Sequence, residues 1–260
     1  MLIYFLSKFF FNHERGFLGI MFRKAEKKKA KLRLAITGPA GSGKTYGALL
    51  IAKGLGGRIA MIDTEKGSGD LYSEMLNYDI ENIYAPYSVQ KYLAAIHEAE
   101  KYAYDVLIID SLSHAWNGEG GLLDLQGRIA DTNKANSYTA WRFVTPWHNR
   151  LIEAMLNSSC HIIATMRSKT EYAQIQNENG KTEIRKLGLA PVQREGMDYE
   201  FTTVFDLSMN HNVSVSKDRT SLFDGKVFTI NEEIGVILKS WLNSASVNSA
   251  DNIRDSNLQK

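Results

Sequence analysis

Residues Leu34 to Leu55 read LAITGPAGSGKTYGALLIAKGL. An apolar run with strand character enters a glycine-rich loop, and an amphipathic run with helical character leaves it. Between them, Gly38-Pro39-Ala40-Gly41-Ser42-Gly43-Lys44-Thr45 satisfies G-x-x-x-x-G-K-[ST] in full. The strand–loop–helix context is the one a phosphate-binding loop requires. Glycine tolerates backbone dihedrals that other residues avoid, so successive N–H groups can converge on one anion. The N-terminus of the following helix adds its dipole. Lys44 brings a positive charge to the β- and γ-phosphates of a nucleoside triphosphate, and the Thr45 hydroxyl can ligate Mg2+. Gly38, Gly41, Ser42, Gly43, Lys44, Thr45 and Tyr46 are the candidate nucleotide-binding set.

Such a loop works with a carboxylate for the magnesium at the end of a neighbouring strand. YDVLIIDS supplies it: Val106–Ile109 read as a buried strand, and Asp110 emerges at its carboxyl end, where ligands sit in open α/β sheets. Thr45 and Asp110 are therefore the candidate metal ligands. Hydrolysis also calls for a group that orients or deprotonates water. Ser111 follows Asp110, so that place is vacant, but Glu65 closes the next strand, in IAMIDTEKGSGDLY. The alternative reading of Glu65 is a strand-end charge with no proton to move. A GTPase is a poor match, because TNKAN at Thr132–Asn136 lacks the aspartate of N-K-x-D.

The 260 residues, 44% hydrophobic and 23% charged, suit one sizeable core. The single cysteine, Cys160, excludes an internal disulfide framework and fits a reducing, cytoplasmic setting. Phe22 to Arg33 carries +6 of a net charge of +2, leaving −4 on the rest. That local excess suits a solvated tail or an anionic surface. The opening MLIYFLSKFFFNHERGFLGI is broken by charges and too short in its apolar runs to span a membrane. It has no cleavage pattern of a signal peptide, and Met21 is expected to be the natural first residue. No zinc pattern and no nucleophile–histidine constellation stands out, and His97 and His114 have no metal-ligand partners at useful spacing.

Along the chain, Leu32–Thr37, Arg58–Asp63, Ile83–Ala85, Val106–Asp110 and Cys160–Thr165 read as short buried strands. Helical patterns follow at Lys44–Leu55, Val89–Tyr104 (with Ser88 as N-cap) and Tyr138–Leu156, where Pro146 is expected to kink or restart the helix. This alternation predicts an α/β fold with a parallel sheet. Beyond Thr165 the texture changes. Two polar runs flank Asn179-Gly180, a hairpin signal. EFTTVFDLSM and NVSVSKDR then predict two further, antiparallel strands, and Asn231 caps a helix at Glu232–Leu242. Trp116, Trp141 and Trp147 are expected in the core or an interface.

On these motifs the chain resembles the RecA-like ATPases. MIDTE is similar to their strand that ends in the catalytic glutamate, which falls on Glu65. A tyrosine seven residues on stacks on adenine in RecA, and Tyr72 stands there. The aspartate strand matches at Asp110. VSVSKDR is similar to the late strand whose two basic residues reach the neighbouring subunit's γ-phosphate, implying that role for Lys217 and Arg219. Thr165, Arg167 and Ser168 stand where such folds carry a γ-phosphate sensor. MFRKAEKKKAKLRLAITGPAGSGKT and GLAPVQREGMDYEFTTVFDLSMNHNVSVSKDR resemble small phage and prophage ATP-binding proteins labelled AAA-domain or annealing-associated. That likeness runs from Met21 to about Ala245.

The resemblance implies a RecA-like P-loop NTPase: a central, mainly parallel sheet flanked by helices, with antiparallel strands added after the core. It divides the chain into an extension and basic tail (1–31), the ATPase domain (32–243) and a tail (244–260). It implies ATP and Mg2+ as ligands, single-stranded DNA as a partner, a homo-oligomer with ATP at subunit interfaces, and a recombination or replication protein as a further partner. Candidate DNA segments are Trp116–Asn136 and Thr170–Arg194; Lys169, Lys181, Arg185, Lys186, Arg194 and Tyr172 give the second a basic and aromatic character suited to single strands. A nucleotide-gated adaptor without DNA binding, or a P-loop kinase for a small metabolite, would use the same phosphate loop.

Overall fold

The computed structural model describes residues 30–132, 136–176 and 182–244. The N-terminal extension, the C-terminal tail and the turn at Asn179-Gly180 with Lys181 lie outside the described residues. In chain order the elements are β1 (Arg33–Gly38), α1 (Lys44–Leu55), β2 (Ile59–Asp63), β3 (Asp79–Asn82), α2 (Val89–Lys101) and β4 (Val106–Asp110). After these come α3 (Ser113–Asn117), α4 (Leu122–Thr132), α5 (Ser137–Asn157), β5 (His161–Gln176) and β6 (Thr182–Pro191). The chain closes with β7 (Thr203–Leu207), β8 (Asn212–Asp218), β9 (Phe228–Thr229) and α6 (Glu232–Asn243). A 3-10 turn at Ser68–Tyr72 follows β2, and another at Met197–Glu200 precedes β7.

Among the described residues the sheet has nine strands, in the order β3-β2-β4-β5-β1-β7-β8-β9 with β6 paired to β5. Strands β3, β2, β4, β5, β1 and β7 run parallel. Strands β8 and β9 add antiparallel. This is the α/β arrangement that the sequence predicts, a central, mainly parallel sheet flanked by helices with antiparallel strands added after the core. The central strands read as unbroken apolar runs because both faces are covered. Ala35, Leu107, Ile109, Ile162 and Ala164 point to a core under α2 and α5, alongside Tyr92, Ile96, Val144 and Leu151. Leu34, Ile36, Ile108 and Ile163 point the other way, to Leu49, Ile51, Leu55, Leu238 and Leu242 of α1 and α6. The alternation is the two-residue pleat of a strand.

Helices α1 and α6 cross unusually close. A methyl group on Gly54 would lie 2.1 Å from the Glu232 carbonyl oxygen, and one on Gly235 would lie 2.2 Å from that of Ile51. Only glycine at both positions allows the approach.

Several expectations need correction. Ile83–Ala85 is not a strand; the edge strand is the preceding Asp79–Asn82, paired parallel to β2. Its exposed, polar DIEN has the composition of a border rather than a core. Helix α2 stops at Lys101 rather than Tyr104, and the Ser88 side chain makes no capping bond. Helix α5 runs through Pro146 as one element, and Asn136 caps it by accepting from the Tyr138 N–H at 2.7 Å. Strand β7 lies parallel to β1 and antiparallel only to β8. Asn231 caps α6 as expected.

Arg33, counted with the basic tail, is buried. Its guanidinium donates to the carbonyls of Leu32 (2.8 Å), Cys160 (2.7 Å), Leu156 (2.9 Å) and Ser158 (2.6 Å), tying β1 to the carboxyl end of α5. Burial lowers its pKa to about 10, so it stays charged at neutral pH. One residue earlier, the Leu32 N–H donates to His161 Nδ1 at 2.9 Å. Burial, with Lys31 and Arg33 nearby, lowers that imidazole to about 4 and keeps it neutral.

Candidate functional site

The phosphate loop leaves the carboxyl end of β1 and enters α1 at Lys44. Gly41 and Gly43 take φ of 78° and 89°, the left-handed region that favours glycine. The Ser42 hydroxyl is buried within the loop without a protein partner. Lys44 folds back over the loop, its Nζ donating to the Pro39 carbonyl at 2.8 Å. Burial lowers its pKa, while Asp110 and Glu65 nearby oppose the shift. From the far side, the β7–β8 turn closes on the loop: His211 Nδ1 lies 3.0 Å from the Ser42 carbonyl oxygen.

Register builds the rest. In the β2–β4 pair Asp63 stands opposite Asp110, and in β1–β5 Gly38 stands opposite Arg167. These pairings bring the ends of β1, β2, β4 and β5 to one edge. Asp110 is 2% exposed and receives the hydroxyl protons of Thr45 and Thr165, each at 2.5 Å, one on each carboxylate oxygen. Burial raises its pKa, and the two hydroxyls partly offset that. Thr165 thus faces Asp110 in this arrangement. Arg167 is directed to the site as well, but toward Glu65.

Glu65 is placed by the turn after β2. Asp63 accepts from the Glu65 N–H at 2.5 Å and from the Gly69 N–H at 3.0 Å. The Glu65 carboxylate forms a two-point pair with Arg167, whose Nε donates at 2.9 Å and whose terminal nitrogen meets the second oxygen. Burial works to raise the Glu65 pKa, but Arg167 outweighs it and holds the carboxyl below its ordinary range. Next to this pair lies a group that the motifs do not announce. His114 approaches Thr64 Oγ1 at 2.7 Å and stacks on Tyr87 at 4.7 Å, while Ser111 N–H donates to the same hydroxyl at 2.8 Å. Its only sequence signal is its place just after the aspartate strand.

Tyr72 and Tyr46 meet, with ring centroids 6.1 Å apart, although Tyr72 also packs against the core under α1. Lys217 and Arg219 do not join this edge. Val204, near the start of β7, is opposite Lys217, whereas the loop follows the end of β1. The pair therefore sits at the far end of the sheet. Lys217 donates to the carbonyls of Asp198 (2.8 Å) and Tyr199 (2.6 Å), and Arg219 donates to Tyr199 at 3.2 Å.

Of the two candidate DNA segments, the described part of Trp116–Asn136 is largely helical, comprising the end of α3 and all of α4. Trp116 stacks on Trp141 at 5.6 Å, and Arg194 lies 5.6 Å over Trp141. Both tryptophans pack on the core, as does Trp147. The second segment is a β5–β6 hairpin that begins at Ser168 opposite Pro191 and reaches Gln176 opposite Thr182.

Residues 30–237 match the family described as an AAA domain. The RadB recombinase structure is similar at 18% identity and a TM-score of 0.41, over 79% of this chain and 90% of that one. No curated protein matches the chain. Among the described residues, no helix is long and apolar enough to cross a membrane.

Proposed function

The chain belongs to the AAA-domain family, and on that premise we propose that it is a magnesium-dependent ATP hydrolase that works on single-stranded DNA, in phage-type recombination, annealing or replication. The observation that carries the nucleotide reading is the meeting of Lys44, Thr45, Asp110 and Glu65 at one edge of the sheet.

In this reading the loop N–H groups and Lys44 bind the phosphates, and Tyr46 with Tyr72 offers an aromatic face to adenine. Thr45 and Asp110 form an all-oxygen donor pair suited to Mg2+, which binds through one or two protein oxygens plus phosphates and water. When bound, the ion offsets charge that builds on the phosphoryl oxygens. The Thr45 proton rests on Asp110, so the hydroxyl oxygen keeps its lone pairs for the ion. Glu65 accepts a proton from water as the water oxygen attacks the γ-phosphorus and ADP departs. Lys217 and Arg219, remote from their own loop, are assigned to the γ-phosphate of a neighbouring copy in a homo-oligomer. The basic and aromatic residues of the hairpin segment support the DNA assignment.

The test is ATP hydrolysis with and without a dT oligonucleotide. Glu65→Gln should bind MgATP normally and lose about 10²–10⁴ in turnover, the usual contribution of a general base. Wild-type turnover should rise with the oligonucleotide. Normal turnover in Glu65→Gln would remove the base assignment. Turnover indifferent to DNA would favour a nucleotide-gated adaptor.

A further inference from the structure

Three glycines of the phosphate loop are backed in turn by β7 and the β7–β8 turn. A methyl group on Gly38 would lie 2.9 Å from the Leu207 carbonyl oxygen, one on Gly41 would lie 3.8 Å from Met209 Cε, and one on Gly43 would lie 3.2 Å from His211 Nδ1. The turn is closed by hydrogen bonds of its own. The Ser208 N–H donates to the Asn212 carbonyl at 2.9 Å, the His211 N–H donates to the Ser208 carbonyl at 3.0 Å, and the Asn212 N–H donates to Ser208 Oγ at 3.2 Å. His211 has a φ of 62°, in the left-handed region. Histidine enters that region more readily than most side chains, though less readily than glycine. What the imidazole adds at this position is its contact with the Ser42 carbonyl at 3.0 Å.

A carbonyl oxygen only accepts, so Nδ1 carries the proton of that bond. The Ser42–Gly43 peptide is trans, and in a planar trans peptide the carbonyl and the N–H point to opposite sides. Holding the Ser42 carbonyl toward the turn therefore directs the Gly43 N–H away from it, into the loop. Gly43 is the N-cap of α1, where backbone N–H groups have no partner within the helix and can serve an anion. Glycine stands on both sides of Ser42, and a glycine-flanked peptide is the one most free to rotate. A hold from outside the loop thus has a direct effect on which way this peptide faces.

We propose that His211 is a positioning residue for the phosphate loop: its Nδ1–H holds the Ser42 carbonyl outward, so that the Gly43 N–H is aimed at the phosphates before a nucleotide arrives. This rests on the loop binding a nucleoside triphosphate. His211 acts through the Ser42–Gly43 peptide rather than on a phosphate. Loop N–H groups of this kind cradle the α- and β-phosphates, which ATP and ADP share, so the hold favours both nucleotides equally.

The experiment is calorimetric titration of MgATP and of MgADP into wild type, His211→Gly, His211→Asn and Lys44→Ala, with thermal melting of each protein without nucleotide. Glycine suits the left-handed backbone and removes the donor. One net hydrogen bond corresponds to about two- to tenfold in a binding constant, so His211→Gly should weaken MgATP and MgADP by that factor, and alike. Its Tm should stay within about 4 °C of wild type. Asparagine also tolerates the left-handed region and offers an amide N–H near the place of Nδ1, so His211→Asn should restore most of the lost affinity. Wild-type affinity in His211→Gly, or binding by His211→Asn as weak as that of His211→Gly, would overturn the proposal. So would a loss confined to MgATP, since the residue would then answer to the γ-phosphate and not to the loop. A His211→Gly protein without a cooperative melt would make His211 a support of the fold, and would overturn the positioning role too. If Lys44→Ala binds both nucleotides like wild type, or wild type binds neither, the nucleotide reading itself fails, whatever the His211 variants do.

Discussion

Replacing Gly54 by alanine would set a methyl carbon 2.1 Å from the Glu232 carbonyl oxygen, 2.8 Å from Gly235 Cα and 2.9 Å from the Val236 nitrogen. All three obstacles are backbone, so no rotamer change relieves them. Restoring an ordinary contact of 3.4 Å requires α1 and α6 to part by about 1.3 Å in an interior that is otherwise close-packed. Overpacking of this kind costs about 1–3 kcal/mol, sometimes more, and alanine's better helix propensity returns roughly 1 kcal/mol. Undocking α6 instead would expose Ile234, Leu238 and Leu242, at about 1.5–3 kcal/mol each, so the helices shift rather than separate. Because the obstacles are backbone, the upper part of the overpacking range applies, about 2–3 kcal/mol; the net loss is about 1–2 kcal/mol, a fall in Tm of about 2–8 °C for a domain of this size. Gly127 is the control. It lies within α4 with nothing inside 4 Å of an added methyl, so alanine there should gain about 1 kcal/mol from propensity alone. Thermal unfolding of wild type, Gly54→Ala and Gly127→Ala in one buffer measures both. A Gly54→Ala protein that melts at or above the wild type would refute the close crossing.

Arg219→Ala should bind ATP almost normally and hydrolyse it poorly, as an arginine supplied by a neighbour is worth about 10³–10⁵ in turnover; mixed with Lys44→Ala, which keeps its basic pair, it should recover part of the activity. A mixture that co-assembles and stays inactive would remove the assignment in trans. His161, held neutral with its pKa near 4, takes up a proton more readily once the chain unfolds. Between about pH 6.5 and 4 the unfolded state binds more protons, so stability falls with acid, by up to about 1.4 kcal/mol per pH unit from this group. His161→Asn keeps an acceptor for the Leu32 N–H without titrating and should show a shallower acid loss in chemical denaturation; equal slopes would exclude His161 as a source.

The phosphate loop, Asp110 and the central strands were legible because each is local: a contiguous motif, or an apolar run between turns. Helix α1 and strand β4 match their expected limits for that reason. Strand β3 was not legible, since DIEN at a sheet border carries no apolar signal, and the more apolar Ile83–Ala85 beside it drew the assignment. Helix α4 was hidden by the glycines around it and by a family expectation of a loop. Arg33 looked like the last member of a basic run because nothing in its neighbours announces the carbonyls of Leu156 and Ser158. The grip of Arg167 on Glu65 joins side chains 102 positions apart, and the Gly54–Gly235 crossing joins the two ends of the domain. Both depend on register between distant segments, which no window of sequence contains.

The place of β1 bears on how the protein is made. Among the described strands, β1 is the one whose partners lie furthest from it along the chain: β5 begins at His161 and β7 at Thr203. At about 5–20 residues per second, synthesis from Gly38 to His161 takes roughly 6–25 s. During that interval Leu34, Ala35 and Ile36 have no strand to join, while β2, β3 and β4 can already pair with one another. A sheet zipped in this order closes its longest loops last, which slows folding. The nascent phosphate loop is thus formed as sequence well before it is formed as a site, and its strand stays without a partner throughout that interval.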